Sequence, residues 1–196
     1  MAVASSTRRV ERFQRVIERR QSDLTIVIEN IFDPHNVSAI LRTCDAVGIL
    51  RIELVYTIEP FPKLGKKSSS SAAKWIERRK HRSLDKCFAT LRSEGFRILA
   101  SRPGPDSRSL YAMDLTGPSA IVLGNEHRGV SDEAAQMADA LIGIPMMGMV
   151  ESLNVSVAAA VFLYEALRQR SAAGLYAAPR LSEAERASLL EAWLKK

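Results

Sequence analysis

Residues 144–157, IPMMGMVESLNVSV, end a predicted strand and begin a predicted helix. A proline, a glycine and three methionines lie between the two elements, and Ser152 and Asn154 precede an apolar run. The start of a helix leaves backbone N–H groups without partners, and a serine or asparagine side chain can accept hydrogen bonds from them. The stretch therefore predicts a strand joined to a capped helix, with two polar side chains at the junction.

The rest of the chain alternates between strand and helix patterns. Apolar, β-branched runs predict strands at 24–29, 51–56, 75–79, 96–101, 119–123 and 141–144. Cap residues and helical spacing predict helices at 7–20, 34–47, 83–94, 154–170, a short one from 131 and a last one from 182. Residues 102–117 show no period and are predicted to be irregular. This order predicts an α/β fold with a mostly parallel sheet and flanking helices.

Composition narrows the class of protein. A chain of 196 residues is expected to form one compact domain, and its net charge of +6 favours a polyanionic partner. Cys44 and Cys87 are too few for a disulfide framework or a zinc cluster, which fits a reducing cytoplasm. We expect no secretory signal and no membrane span, because no apolar segment is long enough. Metal ligands at suitable spacing are missing, so no metal is expected.

The N-terminal segment is rich in arginine. Residues 7–20 carry six arginines against two glutamates, and their apolar residues recur at helical spacing. This predicts an amphipathic helix with one face on the protein and guanidinium groups on the other, although a merely solvated charged face is an equal alternative. The candidates for RNA contact are Arg8, Arg9, Arg12 and Arg19.

Common catalytic motifs are missing, and three polar loops remain. The sequence contains no dinucleotide-binding GxGxxG, P-loop, HExxH or GxSxG, which argues against hydride transfer, kinase-type and hydrolase chemistry. Residues 30–42, 124–131 and 144–154 each follow a predicted strand. Ligands of open α/β sheets bind beyond the carboxyl ends of the strands, so these loops are expected to meet there. The Ser- and Lys-rich loop 57–74 is either an RNA contact or a connector, and the sequence favours neither.

Three segments carry a family resemblance. ENIFDPHNVSAILRTCDAVG from residue 29, IVLGNEHRGVS from 121 and IPMMGMVESLNVSVAAA from 144 resemble, in order and spacing, the three motifs of the SPOUT methyltransferases, SpoU branch. The resemblance implies a C-terminal deep trefoil knot at about 121–170 and a homodimer. It also implies a basic N-terminal helix at 1–22, a methyltransferase domain at 23–174 and a C-terminal helical extension at 175–196.

The same resemblance implies an activity, a cofactor and site residues. The expected reaction moves a methyl group from S-adenosylmethionine to the ribose 2′-hydroxyl of the D-loop guanosine in tRNA. The alternatives are another RNA target or a non-catalytic RNA-binding module. The residues expected to bind the cofactor are Ser101, Gly124, Ile144 and Leu153. The residues expected to be catalytic are Arg42, Asn36, Glu126, Ser152 and Asn154.

Each catalytic residue is expected to have a particular role. Arg42 is expected to bind the phosphate beside the target ribose, since a guanidinium holds its proton too tightly to be a good base, although a perturbed arginine base stays open. Asn36 would hold the ribose or its phosphate, and Glu126 would orient a basic group. Ser152 and Asn154 would fix their loop against cofactor and nucleotide. The structural alternatives are helix capping for the asparagines and Ser152, an ion pair for Arg42 and an exposed loop position for Glu126.

Overall fold

The computed structural model describes residues 2–64 and 72–196, with side chains described from residue 7 onward. The predicted serine-rich part of the loop, residues 68–71, lies outside these ranges. There the sequence departs from the glycine-containing stretch that the resemblance would imply.

Seven strands form one sheet. They are Leu24–Glu29 (β1), Arg51–Val55 (β2), Glu77–His81 (β3), Arg97–Ser101 (β4), Arg108–Ser109 (β5), Ser119–Leu123 (β6) and Ala140–Gly143 (β7). The strand order is β3-β2-β1-β6-β4-β7-β5, and each neighbouring pair runs parallel. In the described part of the chain the α-helices are Ala2–Ile17 (α1), Pro34–Ala46 (α2), Leu84–Ser93 (α3), Asp132–Met137 (α4), Val155–Ala172 (α5) and Glu183–Leu194 (α6). The predicted α/β fold with a mostly parallel sheet is confirmed, whereas the trefoil knot stays a prediction.

Two apolar layers cover the two faces of the sheet. One layer joins inward residues of β1, β2 and β6 to α2 and α5, and the other joins the opposite face to α3 and α4. Every residue of β1 and β6 is buried, which is why both strands read as continuous apolar runs. Cys44 and Cys87 lie in these layers as free thiols, and burial raises the pKa of Cys87 to about 12. Cys44, on α2, is fully buried and is a core residue.

Two sequence predictions need correction. The strand predicted at 75–79 lies two residues later, at Glu77–His81, because Trp75 and Ile76 pack as a turn in front of it. The segment predicted to be irregular contains β5 and a 3-10 turn, Leu110–Ala112. Strand β5 has two residues and exists through its pairing with β7, so no local pattern could indicate it.

Helices α1 and α6 pack together through an aromatic cluster. Phe13 contacts Trp75 and Trp193 with ring centroids 5.2 and 5.6 Å apart. Arg20, which the sequence placed with the charged face of the basic helix, is fully buried beside this cluster. Its guanidinium donates to the Ile49 carbonyl at 2.8 Å, pairs with Asp45 at 2.5 Å and lies 5.2 Å from the Trp193 ring centroid. Arg20 is therefore a structural residue and not a phosphate ligand.

The C-terminal end of α5 is held by a buried arginine. Arg170 donates to the carbonyls of Leu115 and Gly117 at 2.9 and 2.8 Å, and to the Asp23 carboxylate at 2.7 Å. It also donates to the Gln21 side-chain oxygen at 3.0 Å. Burial opposes ionisation of Asp23, but Arg170 and Arg180 keep the pKa of Asp23 below its usual value. One side chain thus joins α5 to the segments that lead into β1 and β6.

We expect Arg170→Met to lower the free energy of unfolding by about 2–4 kcal/mol, because the buried Leu115 carbonyl loses its donor and the Asp23 carboxylate keeps only Arg180 as an ion-pair partner. Urea denaturation at neutral pH measures the change. Arg102→Met is the matched control, since Arg102 and its ion-pair partner Asp132 are 43% and 79% exposed, and the expected loss for such a surface pair is below about 1 kcal/mol. Equal losses in both variants would contradict the role of Arg170.

Candidate active site

A cavity of about 780 Å³ opens at the carboxyl ends of β1, β4, β6 and β7. Parallel strands end at the same edge of the sheet, so the loops that follow them enclose one space. Part of each of the three predicted polar loops lines this cavity. The volume lies within the range of about 300–1,000 Å³ that is typical of small-molecule pockets.

All four residues expected to bind the cofactor line this cavity. Ser101 lies at the end of β4 and Gly124 directly after β6, while Ile144 and Leu153 belong to the loop between β7 and α5. Glu126, Ser152 and Asn154 also contribute to the lining, whereas Asn36 and Arg42 do not. The structure therefore brings much of the second and third predicted loops onto the cavity wall, but of the first loop only Asn30.

Gly124 lies where two backbone segments almost touch. A Cβ atom at this position would be 2.1 Å from the carbonyl carbon and oxygen of Gly129 and from the nitrogen of Val130. Such contacts are impossible for a side chain, so only glycine fits without moving the backbone. The loop 124–130 is consequently folded back on itself at the cavity wall.

The carboxylate of Glu126 joins the first and second predicted loops. Its Oε2 accepts from the Phe32 backbone N–H at 3.0 Å, and its Oε1 accepts from the Asp33 N–H at 3.0 Å and the Asn36 amide at 2.9 Å. Partial burial opposes ionisation, but these hydrogen bonds outweigh it and lower the pKa of Glu126 below its usual value. Glu126 is therefore an anion at neutral pH, with a structural role that a free loop residue would not have.

Asn36 connects this pair of loops to the third. Its side-chain oxygen accepts from the Asn154 amide at 3.1 Å. Asn154 is also the N-cap of α5, with its side-chain oxygen accepting from the N–H groups of Ser156 and Val157 at 2.9 and 3.4 Å. Asn36 does not cap α2, since Asp33 does so by accepting from His35 N–H at 2.7 Å. Asn154 therefore caps α5 with its side-chain oxygen and contacts Asn36 with its amide nitrogen, whereas Asn36 does not act as a cap.

The two remaining catalytic candidates make no polar contact within the described residues. Ser152 is exposed on the cavity wall, and neither a hydrogen bond nor capping of α5 involves it there. Arg42 is exposed on α2, two turns from Asn36, with no ion pair among the described residues. The predicted convergence therefore holds for Asn36, Glu126 and Asn154, while Arg42 lies outside their hydrogen-bonded network.

Sequence reasoning missed Asn30, which organises three loops behind the site. It adopts a left-handed backbone with φ of 49°, at the end of β1. Its side-chain oxygen accepts from the N–H groups of residues 57, 58 and 59, and its carbonyl accepts from the Asn125 amide at 2.8 Å. Asparagine is one of the few residues that tolerate this conformation, so an asparagine directly after a buried strand was the available signal.

The four arginines expected to contact RNA lie near the N-terminus, on α1 or just after it. Arg8, Arg9 and Arg12 are exposed on α1, and Arg19 is exposed just after it. No cluster of three or more potential metal ligands occurs in residues 2–64 and 72–196. Over the same ranges, no helix combines the length and apolar character that crossing a bilayer requires.

Comparison with known proteins places this site in a family. The geometry defines a class of protein: an α/β fold with a parallel sheet and a ligand cavity at the carboxyl edge of that sheet. The family model described as the SpoU rRNA Methylase family matches residues 23–164. The chain belongs to the SpoU methylase family. Both the predicted family and the enzyme class, an RNA methyltransferase, are confirmed.

Individual relatives agree with this assignment. The tRNA (guanosine(18)-2′-O)-methyltransferase of Thermus thermophilus is 47% identical over 188 residues, which is 96% of each chain. The crystal structure of the A. aeolicus TrmH/SpoU tRNA modifying enzyme superposes with a TM-score of 0.91 at 39% identity, covering 96% of both chains. An AdoMet-bound rRNA methyltransferase from Sinorhizobium meliloti gives a TM-score of 0.60 at 26% identity, covering 79% of this chain and 59% of that one.

We expect Gly124→Ala to lower the free energy of unfolding by about 1–3 kcal/mol, because the added methyl group overlaps backbone atoms, and to weaken binding of S-adenosylmethionine. Thermal unfolding and calorimetric titration measure the two effects. Gly117→Ala is the control, since a Cβ there meets nothing within 4 Å. If both variants behave alike, the close approach at Gly124 is not what shapes the cavity.

Proposed function

We propose that the chain transfers a methyl group from S-adenosylmethionine to the ribose 2′-hydroxyl of guanosine 18 in tRNA. The observation that carries this proposal is the end-to-end match with a relative of that name, which includes α1 and α6. The rRNA methyltransferase superposes on only 79% of the chain and is itself longer, so it is the weaker guide to the substrate.

The cavity fits the proposed cofactor. A nucleoside with an amino-acid tail is a drug-sized ligand, and the volume of about 780 Å³ accommodates one. Ser101, Gly124, Ile144 and Leu153 would hold it, and the backbone at Gly124 approaches too closely for any side chain. When bound, S-adenosylmethionine supplies an electrophilic methyl group on its sulfonium sulfur.

The residues around the cavity position the ribose. The anionic Glu126 fixes Asn36, and Asn36 fixes Asn154, so two amide groups stand at the carboxyl edge of the sheet in set orientations. Asn36 would bind the ribose or its phosphate, while Ser152 and Asn154 would fix their loop against cofactor and nucleotide. Orienting two reactants in this way supplies a large part of the rate of such transfers.

Arg42 is available for the RNA. Its guanidinium is exposed and has no carboxylate partner in the described part of the chain. It would therefore bind the phosphate beside the target ribose, and that phosphate would help to accept the proton that leaves the 2′-oxygen. Arg8, Arg9, Arg12 and Arg19 would contact phosphates farther along the tRNA.

An exposed apolar surface supports the proposed homodimer. Met147, Met149 and Val150 are 94%, 99% and 62% exposed in the loop after β7, and Val157 and Tyr164 of α5 are also exposed. Several exposed apolar side chains on two consecutive elements are typical of an interface between subunits. The proposed dimer therefore pairs the loop after β7 and α5 of one protomer with the same elements of its partner.

The remaining assignments follow from the same proposal. A tRNA substrate and two buried reduced cysteines fit the cytoplasm. We divide the chain into a basic N-terminal helix at 1–22, a methyltransferase domain at 23–174 that carries the knot, and a C-terminal extension at 175–196. The packing of α1 on α6 supports treating the two terminal segments as one RNA-binding unit.

Mapping the methylated nucleotide tests the proposed substrate. The purified protein is incubated with labelled S-adenosylmethionine and, separately, with total tRNA and rRNA. We expect label on the ribose of guanosine 18 of tRNA, because relatives that match from end to end carry that activity in their names. Label confined to rRNA would contradict the proposed substrate, and RNA binding without cofactor binding would indicate a non-catalytic module.

We expect Arg42→Ala to reduce the rate of methyl transfer by about 10²-fold, because the phosphate beside the target ribose loses its ligand and the 2′-oxygen is no longer held in line with the methyl group. Affinity for S-adenosylmethionine is expected to stay near that of the wild type, since Arg42 does not line the cavity. Single-turnover kinetics and calorimetry separate the two quantities, and Arg42→Lys shows how far charge alone suffices. Parallel loss of both would contradict a role confined to the RNA.

A further inference from the structure

Strand β3 forms one edge of the described sheet and carries an excess of positive charge. It reads ERRKH from Glu77 to His81, and Arg82 follows directly. Within the described sheet β3 pairs only with β2, so its outer backbone groups are open. The function proposed above does not use this edge.

The two faces of β3 differ in how their charges are neutralised. On one face Arg79 and His81 contact the buried Glu53 at 2.7 and 2.6 Å, and Arg79 also pairs with Glu94 at 2.5 Å. Because side chains alternate along a strand, Arg78 and Lys80 point to the other face. Glu53 and Glu94 therefore neutralise charge on the face of Arg79 and His81, and not on the face of Arg78 and Lys80.

The other face keeps its charge. Arg78, Lys80 and Arg82, here called the edge-strand cations, are all exposed. Arg78 and Arg82 have no hydrogen bond or ion pair to any residue that the structure describes. The Lys80 amine lies 5.9 Å from the Phe61 ring centroid, a contact that leaves its charge intact.

The start of β3 lies beside the aromatic cluster that joins α1 to α6. Trp75, two residues before β3, packs on Phe13 of α1 at 5.2 Å and on Trp193 of α6 at 5.0 Å. Strand β3 starts beside this cluster and runs parallel to β2 and β1, so its carboxyl end lies at the edge of the sheet where the cavity opens. Arg78 therefore lies near the side of α1, and Arg82 lies just beyond the carboxyl end of the strand.

We propose that the edge-strand cations bind consecutive phosphates of the tRNA backbone. Residues two apart on a strand are separated by about 6.6 Å, which is comparable to the distance between successive phosphates along one nucleic-acid strand. Contacts of this kind orient the RNA and carry no base specificity. This inference rests on the proposed tRNA methyltransferase function and adds a binding surface to it.

The test is the salt dependence of tRNA binding by the double variant Arg78→Gln, Arg82→Gln. We expect the slope of log affinity against log salt to become shallower by about 1–2, because each lost phosphate contact removes about 0.7–0.9. In steady-state methylation KM is expected to rise while kcat stays unchanged. The control is Arg97→Gln, Arg108→Gln, which removes the same charge from exposed positions on β4 and β5, toward the other edge of the sheet.

Several results would overturn the inference. A wild-type slope in the β3 variant would do so, and so would an equal change in the control, which would indicate a bulk charge effect. Charged residues on an edge strand also prevent pairing with another chain, so self-association with unchanged tRNA binding would assign these cations to solubility. Arg78→Lys, Arg82→Lys is expected to restore the slope.

The same experiment separates this inference from the function on which it rests. If the wild-type protein does not methylate tRNA, the proposed function itself is wrong. If it does, and the β3 variant binds tRNA as the wild type does, only the edge-strand proposal is wrong.

Discussion

The carboxylate of Glu126 is the contact on which the arrangement of the site depends. It accepts two hydrogen bonds from the turn between β1 and α2 and one from the Asn36 amide in the first turn of α2, and through Asn36 it reaches Asn154 at the start of α5. Residues 90 or more positions apart are thereby fixed to one another. Because the donors keep the carboxylate ionised, the network keeps a single pattern of donors and acceptors at neutral pH.

The sheet makes this contact possible. Strands β1 and β6 are central and adjacent, so the loops that follow them leave the same edge of the sheet side by side. Strands β4 and β7 complete the wall of the cavity, and α5 packs back on α2. At its far end α5 is fixed by Arg170, which anchors the helix to segments leading into β1 and β6. The site is therefore held from both ends of one long helix.

Local chemistry made much of this predictable. Buried strands such as β1 and β6 show unbroken apolar runs, and helix starts show a side chain that accepts from its own backbone, so both are visible in a short window of sequence. Strand β5, the buried state of Arg20 and the role of Asn30 were not predictable in this way. Each depends on partners far along the chain: β7 for β5, Trp193 and Asp45 for Arg20, and the 57–59 turn for Asn30. For the same reason Arg42 could be recognised as a candidate from its motif, while its separation from the Glu126 network could not.

The double use of Asn154 has a consequence for dynamics. Its side-chain oxygen caps the start of α5, and its amide nitrogen donates to Asn36. Fraying of the first turn of α5 would therefore release the Asn36 and Asn154 amides from each other even while the sheet and the remainder of the helix stay intact. Local melting at a helix terminus costs far less free energy than global unfolding, so on heating this protein is expected to lose its catalytic geometry before it loses its fold.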